Sequence, residues 1–247
     1  MIFMTGDCHG DYRRFGSSIF KAQKEMTKAD YVMICGDFGL WKDDAEQWYW
    51  LKWLEAKPFT TLWVDGNHEN YDWLKTFPIE NWHGGKVQKI LPSIIHLCRG
   101  QVFDLDSMTF FTFGGAASHD ISGGVLDPAD PLFKSQLKQA RMSYLPYRIL
   151  HHSWWPEEMP SADEYAEGWE NLARYNDKVD VIVTHCASTS TQSLLSAGRY
   201  QPDALTDYLE EVRQKVTFQY WFFGHYHDHR RLNMKEHLLY EQIIRII

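Results

Sequence analysis

The chain has 247 residues, with 25 lysines and arginines against 33 aspartates and glutamates, so its formal net charge is −8 at neutral pH. It has no basic run of the kind that neutralises phosphates, which disfavours proteins that bind nucleic acid backbones or anionic membranes. Its 44% of hydrophobic residues and its 11 tryptophans exclude a disordered chain, and its length suffices for the core of one large domain.

The sequence has no signal for export or membrane insertion. No apolar stretch reaches the roughly 20 residues that a membrane-spanning helix needs. The N-terminus has neither the basic start nor the apolar region of a signal peptide, so we expect a cytoplasmic protein that does not contact membranes. None of the four cysteines forms a C-x-x-C pair, which predicts reduced thiols rather than disulfides or a structural zinc site.

In the first third of the chain, β-rich runs alternate with amphipathic stretches, as in β-α-β units around a partly parallel sheet. The predicted strands are residues 2–5, 31–35 and 60–64. The predicted helices are residues 12–28 and 43–56, the second with Asp43 or Asp44 as its N-cap.

The middle of the chain reads as three short strands, which we expect to pair in antiparallel fashion, at residues 94–98, 102–105 and 108–113. A long segment without a clear pattern follows at residues 116–160, and a loop of that length inside a compact domain is usually functional. We therefore predict a single domain over residues 1–247 with a cap-like insertion near 116–160.

The last third returns to alternating strands and helices. The predicted strands are residues 179–183, 218–223 and one or two within 238–247, and the predicted helices are residues 164–174 and 203–215.

Residues that commonly bind metals follow five of the predicted strands. The seven ligand-type residues are Asp7 and His9, Asp37, Asn67, His185, and His225 with His227, and His68 directly follows Asn67. Because sites in open α/β sheets form at the carboxyl ends of strands, we expect these residues to converge. In extended segments, residues two apart face the same way, so Asp7 with His9, and His225 with His227, are predicted to form two clamps.

The chemistry of this set indicates a metal centre. Aspartate, asparagine and histidine side chains form a mixed nitrogen and oxygen set that suits manganese, iron, zinc or nickel. Seven such residues exceed the needs of one ion. Two ions roughly 3.5–4 Å apart, bridged by one carboxylate, would use all seven, and such pairs catalyse displacement at phosphorus.

The motifs resemble those of the calcineurin-like metallophosphoesterases, which occur in the order D-x-H, GD, GNH[E/D], H and GHxH. They stand here as Gly6-Asp7-Cys8-His9-Gly10, Gly36-Asp37, Gly66-Asn67-His68-Glu69, His185 and Gly224-His225-Tyr226-His227. The resemblance covers residues 5–229. It implies an α/β fold, a four-layer α/β/β/α sandwich of two mixed sheets with the metal site at the rim where strands end.

The resemblance also implies a division of roles among the residues. Asp7, His9 and His227 would hold one divalent ion, Asn67, His185 and His225 would hold the other, and Asp37 would bridge them. Manganese is the favoured metal, with iron, zinc and nickel as alternatives. His68 would bind no metal but would donate a proton to the leaving group or contact the transition state, while a metal-bound water or hydroxide attacks phosphorus.

The second motif departs from two subfamilies. Phosphoprotein phosphatases carry GDxVDRG at this point, whereas this chain has Gly36-Asp37-Phe38-Gly39-Leu40-Trp41, without the second aspartate and the arginine. Purple acid phosphatases place a tyrosine near the second aspartate, and none follows Asp37 closely here. A protein serine/threonine phosphatase and an iron–tyrosinate centre are therefore disfavoured.

Residues 116–160 hold the candidates for substrate binding. His119 follows a predicted strand in a loop of small residues, so it is predicted to reach the substrate phosphate, with an ordinary surface histidine as the alternative. Trp154 and Trp155 could form an aromatic lid over a nucleobase, but plain packing is favoured because aromatic residues bury well.

We therefore predict a dinuclear metal-dependent hydrolase of phosphomonoesters or phosphodiesters, acting on small molecules or nucleotides. A nuclease or cyclic-nucleotide phosphodiesterase is the first alternative, so nucleic acid stays open as a partner without being favoured. A non-catalytic scaffold on the same fold is the second, and the presence of all seven ligands and His68 argues against it. The substrate and the oligomeric state are left open by the sequence.

Overall fold

Two mixed β-sheets form the body of the molecule in the computed structural model, which describes residues 1–247. The strands are β1 (Ile2–Thr5), β2 (Tyr31–Ile34), β3 (Thr60–Trp63), β4 (Ile79–Trp82), β5 (Gly85–Leu91), β6 (Ile94–Leu97), β7 (Gln101–Leu105), β8 (Met108–Phe113), β9 (Val125–Leu126), β10 (Arg148–Ile149), β11 (Val181–Thr184), β12 (Tyr220–Phe223), β13 (Arg230–Arg231), β14 (Glu236–Leu238) and β15 (Ile244–Arg245). The α-helices are α1 (Ala45–Glu55), α2 (Tyr71–Leu74), α3 (Phe133–Ser143), α4 (Ala162–Arg174), α5 (Thr189–Ser196) and α6 (Ala204–Lys215).

Both sheets have parallel centres and antiparallel edges. The first has the order β15-β1-β2-β3-β6-β5-β4, in which β1, β2, β3 and β6 are parallel. The second has the order β13-β14-β12-β11-β8-β7, in which β14, β12, β11 and β8 are parallel. The central strands β1, β2, β3 and β11 are buried along their whole length, as expected for parallel strands covered on both faces.

Three hydrophobic clusters establish how the layers stack. Alternate residues of β1 belong to different clusters: Ile2 and Met4 join side chains from both sheets, whereas Phe3 packs with Leu51 and Leu54 of α1. A third cluster joins the outer face of the second sheet to α4 and α6. Helices, sheet, sheet and helices therefore follow one another, which agrees with the α/β sandwich that the motifs implied.

The prediction of one helix over residues 12–28 is wrong. The chain forms two short 3-10 helices instead, Arg13–Phe15 and Lys21–Glu25. Between them, Gly16 is extended and begins a Gly-Ser-Ser run of weak helix formers. The buried rings of Phe15 and Phe20 hold both turns against the first sheet, so tertiary packing rather than helix periodicity determines this segment.

The strands predicted at residues 94–98 and 102–105 do not pair with each other. β6 lies in the first sheet, between β3 and β5, whereas β7 lies at the edge of the second sheet. The β7–β8 pair is antiparallel, as expected. Strand patterns show which residues are buried but do not specify the neighbouring strand, so the crossing between the sheets was not visible in the sequence.

The helices with strong capping signals were predicted well. The carboxylate of Asp44 accepts the Gln47 N–H at 2.9 Å and starts α1, so Asp44 rather than Asp43 is the N-cap. Asp203 and Thr206 form a reciprocal capping box at the start of α6.

Residues 116–160, hereafter the 116–160 segment, are more regular than the sequence indicated. They contain the short parallel pair β9–β10 and the 11-residue helix α3 between its strands. The N-cap of α3, Leu132, makes no side-chain capping bond, so the usual signal for a helix start is missing. None of the helices in the molecule combines the length and apolar character needed to cross a bilayer.

Candidate metal centre

Five loops meet where strands of the two sheets end. They follow β1, β2, β3, β11 and β12 and carry Asp7 with His9, Asp37, Asn67 with His68, His185, and His225 with His227. Within each sheet these strands are parallel neighbours, so their carboxyl ends lie side by side. All eight residues predicted from the motifs are thereby brought to one site.

One group of four side chains is close enough to share a single ion. The ligand atoms of Asp7, His9, Asp37 and His227 all lie within 4.8 Å of one another. The Nε2 atoms of His9 and His227 are 3.0 Å apart. His9 Nε2 also lies 3.8 Å from Asp7 Oδ2 and 3.7 Å from Asp37 Oδ2. Two carboxylates and two imidazoles thus converge on one point.

The remaining ligand candidates form a second group on the other side of Asp37. His185 Nε2 lies 3.4 Å from Asp37 Oδ2 and 3.3 Å from Asn67 Oδ1, and the ring of His225 is centred 5.0 Å from that of His185. His185 Nδ1 donates to the Cys35 carbonyl at 2.9 Å, which directs Nε2 toward the site. Burial lowers the pKa of His185, but the Asp37 carboxylate outweighs burial and raises it to about 10.

The backbone at the site differs from the extended conformation expected from the sequence. His9, Asp37, His225 and His227 all have φ between 46° and 69°, the left-handed region. Asp7 and His9 still meet, through a turn. His225 and His227 do not form the predicted clamp, because one ring lies beside His185 and the other beside Asp7. Such conformations are rare outside glycine and concentrate at functional sites.

Two glycines of the motifs are required by close contacts with carboxylates. Both oxygens of Asp7 accept the backbone N–H of His225, at 3.0 and 3.1 Å. A Cβ on Gly224 would lie 2.0 Å from Asp7 Oδ1, and a Cβ on Gly66 would lie 2.1 Å from Asp37 Oδ1. Any larger residue at either position would displace a carboxylate, which is the physical reason for glycine there.

His68 lies beside the first group without being part of it. Its backbone N–H donates to Asp37 Oδ1 at 2.9 Å, and its carbonyl accepts the indole N–H of Trp41 at 2.8 Å. Its ring is centred 5.4 Å from that of His9. Burial lowers the pKa of His68 below the usual histidine value. The main chain of His68 is therefore held from both sides while its ring stays near the ligand cluster.

A buried hydrogen-bond chain orients the amide of Asn67. Glu158 accepts the backbone N–H of Ser118 at 2.9 Å and its hydroxyl at 2.6 Å. The Ser118 hydroxyl in turn accepts the Asn67 Nδ2–H at 3.2 Å, so Asn67 Oδ1 is the atom left for His185 and for a metal. Ser118 and Glu158 both belong to the 116–160 segment. They match no motif, so nothing in the sequence marks them as part of the site.

A second buried network lies behind the Asn67 loop. The carboxylate of Asp65 accepts hydrogen bonds from Arg99 Nε at 2.8 Å and from the Tyr71 hydroxyl at 2.8 Å, and His96 Nε2 lies 3.1 Å away. Burial would raise the pKa of Asp65, but the Arg99 guanidinium and His96 hold it well below its usual range. The aspartate beside Gly66 is therefore paired within the protein and does not face the site.

Two further side chains hold the loops in place. The Glu69 carboxylate accepts the backbone N–H groups of Gly39, at 3.2 Å, and Leu40, at 2.8 Å, and so fixes the loop after Asp37. Burial, with the nearby charge of Asp37, raises the pKa of Glu69. Arg14 Nη2 donates to the Asp7 carbonyl at 2.6 Å. The final residue of GNHE therefore supports the site and is not a ligand.

The candidates for substrate contact in the 116–160 segment differ in their placement. The ring of His119 stacks on Tyr200, with centroids 4.2 Å apart, and is centred 5.2 Å from the ring of His225. His119 thus lies at the rim of the second ligand group. Trp155 is buried in the core and donates to Asp72 at 2.7 Å, so it packs rather than forming a lid.

The donor set fits divalent first-row ions. The seven ligand candidates offer four imidazole nitrogens, two carboxylates and one amide oxygen, a combination that suits manganese, iron, zinc or nickel. The two Nε2 atoms of the first group are only 3.0 Å apart, and they face carboxylate oxygens rather than hydrogen-bond donors. Buried carboxylates that face imidazole nitrogens in this way are the usual surroundings of a cation.

A family model matches most of the chain and agrees with these motifs. Residues 1–229 match the family model described as calcineurin-like phosphoesterase. Over 97 residues, 33% of this chain, the sequence is 28% identical to lariat debranching enzyme A of Xenopus laevis, and the match spans only 18% of that relative's length. The crystal structure of phosphopantetheinyl hydrolase from Mycobacterium tuberculosis aligns over 97% of this chain and 87% of that one, with 16% sequence identity and a TM-score of 0.38.

Proposed function

Since the chain belongs to the calcineurin-like phosphoesterase family, we propose that it is a hydrolase of phosphoester bonds that uses two divalent metal ions. Its substrates would be monoesters or diesters of small molecules or nucleotides. Manganese is the metal we favour. The expectation of a cytoplasmic enzyme stays a prediction from the sequence.

The position of Asp37 is the observation that carries this proposal. Its Oδ2 lies 3.7 Å from His9 Nε2 in one ligand group and 3.4 Å from His185 Nε2 in the other. Its Oδ1 accepts the His68 N–H, so the carboxylate cannot turn away. One fixed carboxylate between two sets of ligands is the arrangement that a pair of bridged ions requires.

The other ligands divide between the two ions according to the side of Asp37 on which they lie. Asp7, His9 and His227 would hold the first ion, whereas Asn67, His185 and His225 would hold the second. When bound, such ions neutralise charge on the phosphoryl oxygens and lower the pKa of water toward neutrality.

The protein itself supplies fixed geometry and a proton. Backbone N–H groups hold Asp7 and Asp37, so neither carboxylate has to reorganise during the reaction. The ring of His68, 5.4 Å from that of His9, would donate a proton to the departing oxygen. His119, stacked on Tyr200 at the rim beside His225, would contact the substrate phosphate.

The test is turnover of a generic phosphodiester and a generic phosphomonoester by metal-stripped protein after Mn²⁺ is added back. Asp37→Asn should lower kcat by more than about a hundredfold, because one amide cannot replace the charge of a bridging carboxylate. Asp163→Asn, an exposed carboxylate on α4, is the matched control and should keep full activity.

The ratio of diester to monoester turnover shows whether the enzyme prefers phosphodiesters or phosphomonoesters. Turnover that survives in Asp37→Asn would contradict the bridging role. Lack of turnover on both esters by protein that holds manganese would favour the non-catalytic scaffold instead.

A further inference from the structure

Helix α3 presents a basic face that is visible only once the segment is helical. Lys134, Lys138 and Arg141 are exposed and occupy positions i, i+4 and i+7. At 3.6 residues per turn they fall within about 60° of arc and extend over about 10 Å of the helix. No carboxylate is within ion-pairing distance of any of them. The sequence contains no basic run here because the three cations are separated by polar and apolar residues.

An exposed aromatic residue lies at the end of the same face. A shallow groove of about 400 Å³ is lined by the three cations together with Leu137, Met142 and Tyr144. Tyr144 ends α3 in a left-handed conformation, with φ of 55°, and is 93% exposed. Glycine usually occupies such a position, so a strained tyrosine that contributes nothing to the core points to a role outside the fold.

We propose that this face of α3 binds a single strand of nucleic acid, with phosphates on Lys134, Lys138 and Arg141 and an unpaired base on the ring of Tyr144. Surfaces that bind single strands combine a positive groove with aromatic rings on which bases stack. A fully stacked strand has one charge per roughly 3.4 Å of axis, so a stripe of about 10 Å meets up to three phosphates. The inference rests on the proposed phosphoester hydrolysis, because it names the substrate class that the segment would bring to the metal site.

The exposed apolar residues around α3 do not form a continuous face, which favours a strand over a membrane. Ala140 is buried and Phe133 and Leu137 are half-buried, whereas Leu132, Met142 and Leu145 are exposed at the two ends of the helix. A helix that lies in a bilayer surface needs an apolar face along its length that is free to enter the lipid, and α3 has exposed apolar residues only at its ends.

The basic face is connected to the metal site through the segment itself. Arg141 Nε lies 3.4 Å from the Tyr147 hydroxyl. The next residue, Arg148, pairs with Asp120, which follows His119 at the rim of the second ligand group. A strand that runs from α3 along this path would place a phosphodiester near the ligands.

The experiment measures binding of a fluorescent oligothymidine of about 12 nucleotides, within the roughly 4–16 nucleotides that one such surface covers. Full-length, Mn²⁺-loaded protein is titrated in the cold at several salt concentrations, and strand integrity is checked on a gel. We expect the triple variant K134E/K138E/R141E to bind at least tenfold more weakly. Each phosphate contact contributes roughly 0.7 to the magnitude of the slope of log K against log salt. The loss of three contacts should therefore lower that magnitude by about 2.

Two further variants separate charge from stacking. K21E/K24E/K52E makes the same change of charge at exposed positions in the helical layer on the far face of the first sheet, and it should bind within twofold of the wild type. Tyr144→Ala should bind about tenfold more weakly with an unchanged salt slope, because a stacking contact rather than a phosphate contact is lost.

The outcomes distinguish this inference from the proposed function. All variants should hydrolyse a small chromogenic phosphodiester like the wild type. If that ester is not hydrolysed but strand binding depends on the basic face, phosphoester hydrolysis fails and the binding surface stands. Equal losses in the two triple variants would overturn the inference. So would duplex DNA bound as tightly as the single strand, or α3-dependent binding to phosphatidylserine vesicles without strand binding.

Discussion

At the scale of single residues, the site is held by backbone conformations that local preference disfavours. His9, Asp37, His225 and His227 are left-handed, and each such non-glycine residue costs about 1–3 kcal/mol. The surrounding hydrogen bonds keep them there, such as those from the His225 N–H to Asp7. In an extended chain, His225 and His227 would face the same way. The left-handed conformations instead direct His225 toward His185 and His227 toward Asp7. Catalytic geometry is therefore obtained at the expense of local stability.

We expect His68→Gln to separate proton donation from metal binding. Turnover of an alkyl phosphoester should fall by about 10²–10⁴, because its leaving group needs a proton. A p-nitrophenyl ester should lose much less, since p-nitrophenolate departs without one. The measurement compares kcat for both esters and the metal content of each protein. His83→Gln, in the turn between β4 and β5, is the control, and an equal loss on both esters would argue against a proton donor.

The chain from Glu158 through Ser118 to Asn67 should control affinity for the second ion. In Glu158→Gln a carboxylate, which can only accept hydrogen bonds, is replaced by an amide, which can also donate them. The direction of the hydrogen bonds through the Ser118 hydroxyl to the Asn67 amide can then reverse. Calorimetric titration of metal-free protein with Mn²⁺ should show one ion bound about 10–100-fold more weakly and the other unchanged. Glu157→Gln, its neighbour, should leave both affinities intact. A uniform loss for both ions would indicate a general structural defect.

At the scale of secondary-structure elements, helix ends explain how the second sheet presents its histidines. α5 begins soon after His185, and its N-cap, Ser188, makes no side-chain capping bond. Glu210 of α6 replaces it by accepting the Ser190 N–H at 3.0 Å and its hydroxyl at 2.6 Å. A carboxylate at a helix N-terminus is favourable because it meets the positive end of the helix dipole. α6 thereby anchors the segment that follows His185.

Stability should depend on pH through Glu210. Burial raises its pKa, but the hydrogen bonds from Ser190 outweigh burial and lower the pKa from 4.5 to about 2. A carboxyl whose folded pKa is depressed stabilises the fold above its unfolded pKa and loses that effect as pH falls toward the folded pKa. Glu210→Gln should therefore cost about 1 kcal/mol at neutral pH, discounted for solvent screening, and lower Tm by about 2–4 °C.

Thermal melts at several pH values check this expectation. The difference in Tm between wild type and Glu210→Gln should shrink as pH falls from 4.5 toward 2. Glu211→Gln, whose carboxylate pairs with exposed Lys215, should change Tm little. A difference that grows on acidification would contradict the assigned role.

At the scale of the whole molecule, the site joins the two sheets. Asp7, Asp37 and Asn67 come from the first sheet, whereas His185, His225 and His227 come from the second. Hydrogen bonds already cross this boundary, from the His225 N–H to Asp7 and from His185 Nδ1 to the Cys35 carbonyl. Ions held by this set would therefore link the sheets at their rim and stabilise the fold as well as the reaction.

Removal of metal should lower the melting temperature. With free Mn²⁺ at 100 times Kd, each ion stabilises the folded chain by about 2.7 kcal/mol. For a chain of this size that corresponds to a shift of about 5–10 °C per ion, measured with and without a chelator. Asp37→Asn should show a much smaller shift, and Asp163→Asn should show the full one. An unchanged Tm in the wild type would contradict metal binding between the sheets.

The sequence by itself determined the candidate ligand residues, their order, the strands that carry them, and the helices with strong caps at Asp44 and Asp203. Side-chain type, periodicity and capping are local properties, so they can be read along the chain. Only the tertiary structure decided that β6 and β7 lie in different sheets and that the rings of His225 and His227 lie apart. It also decided that Glu158 supports Asn67 and that α3 has a basic face. Each of these depends on contacts between distant residues, or on a helix without a capping signal, and packing rather than local preference determines them.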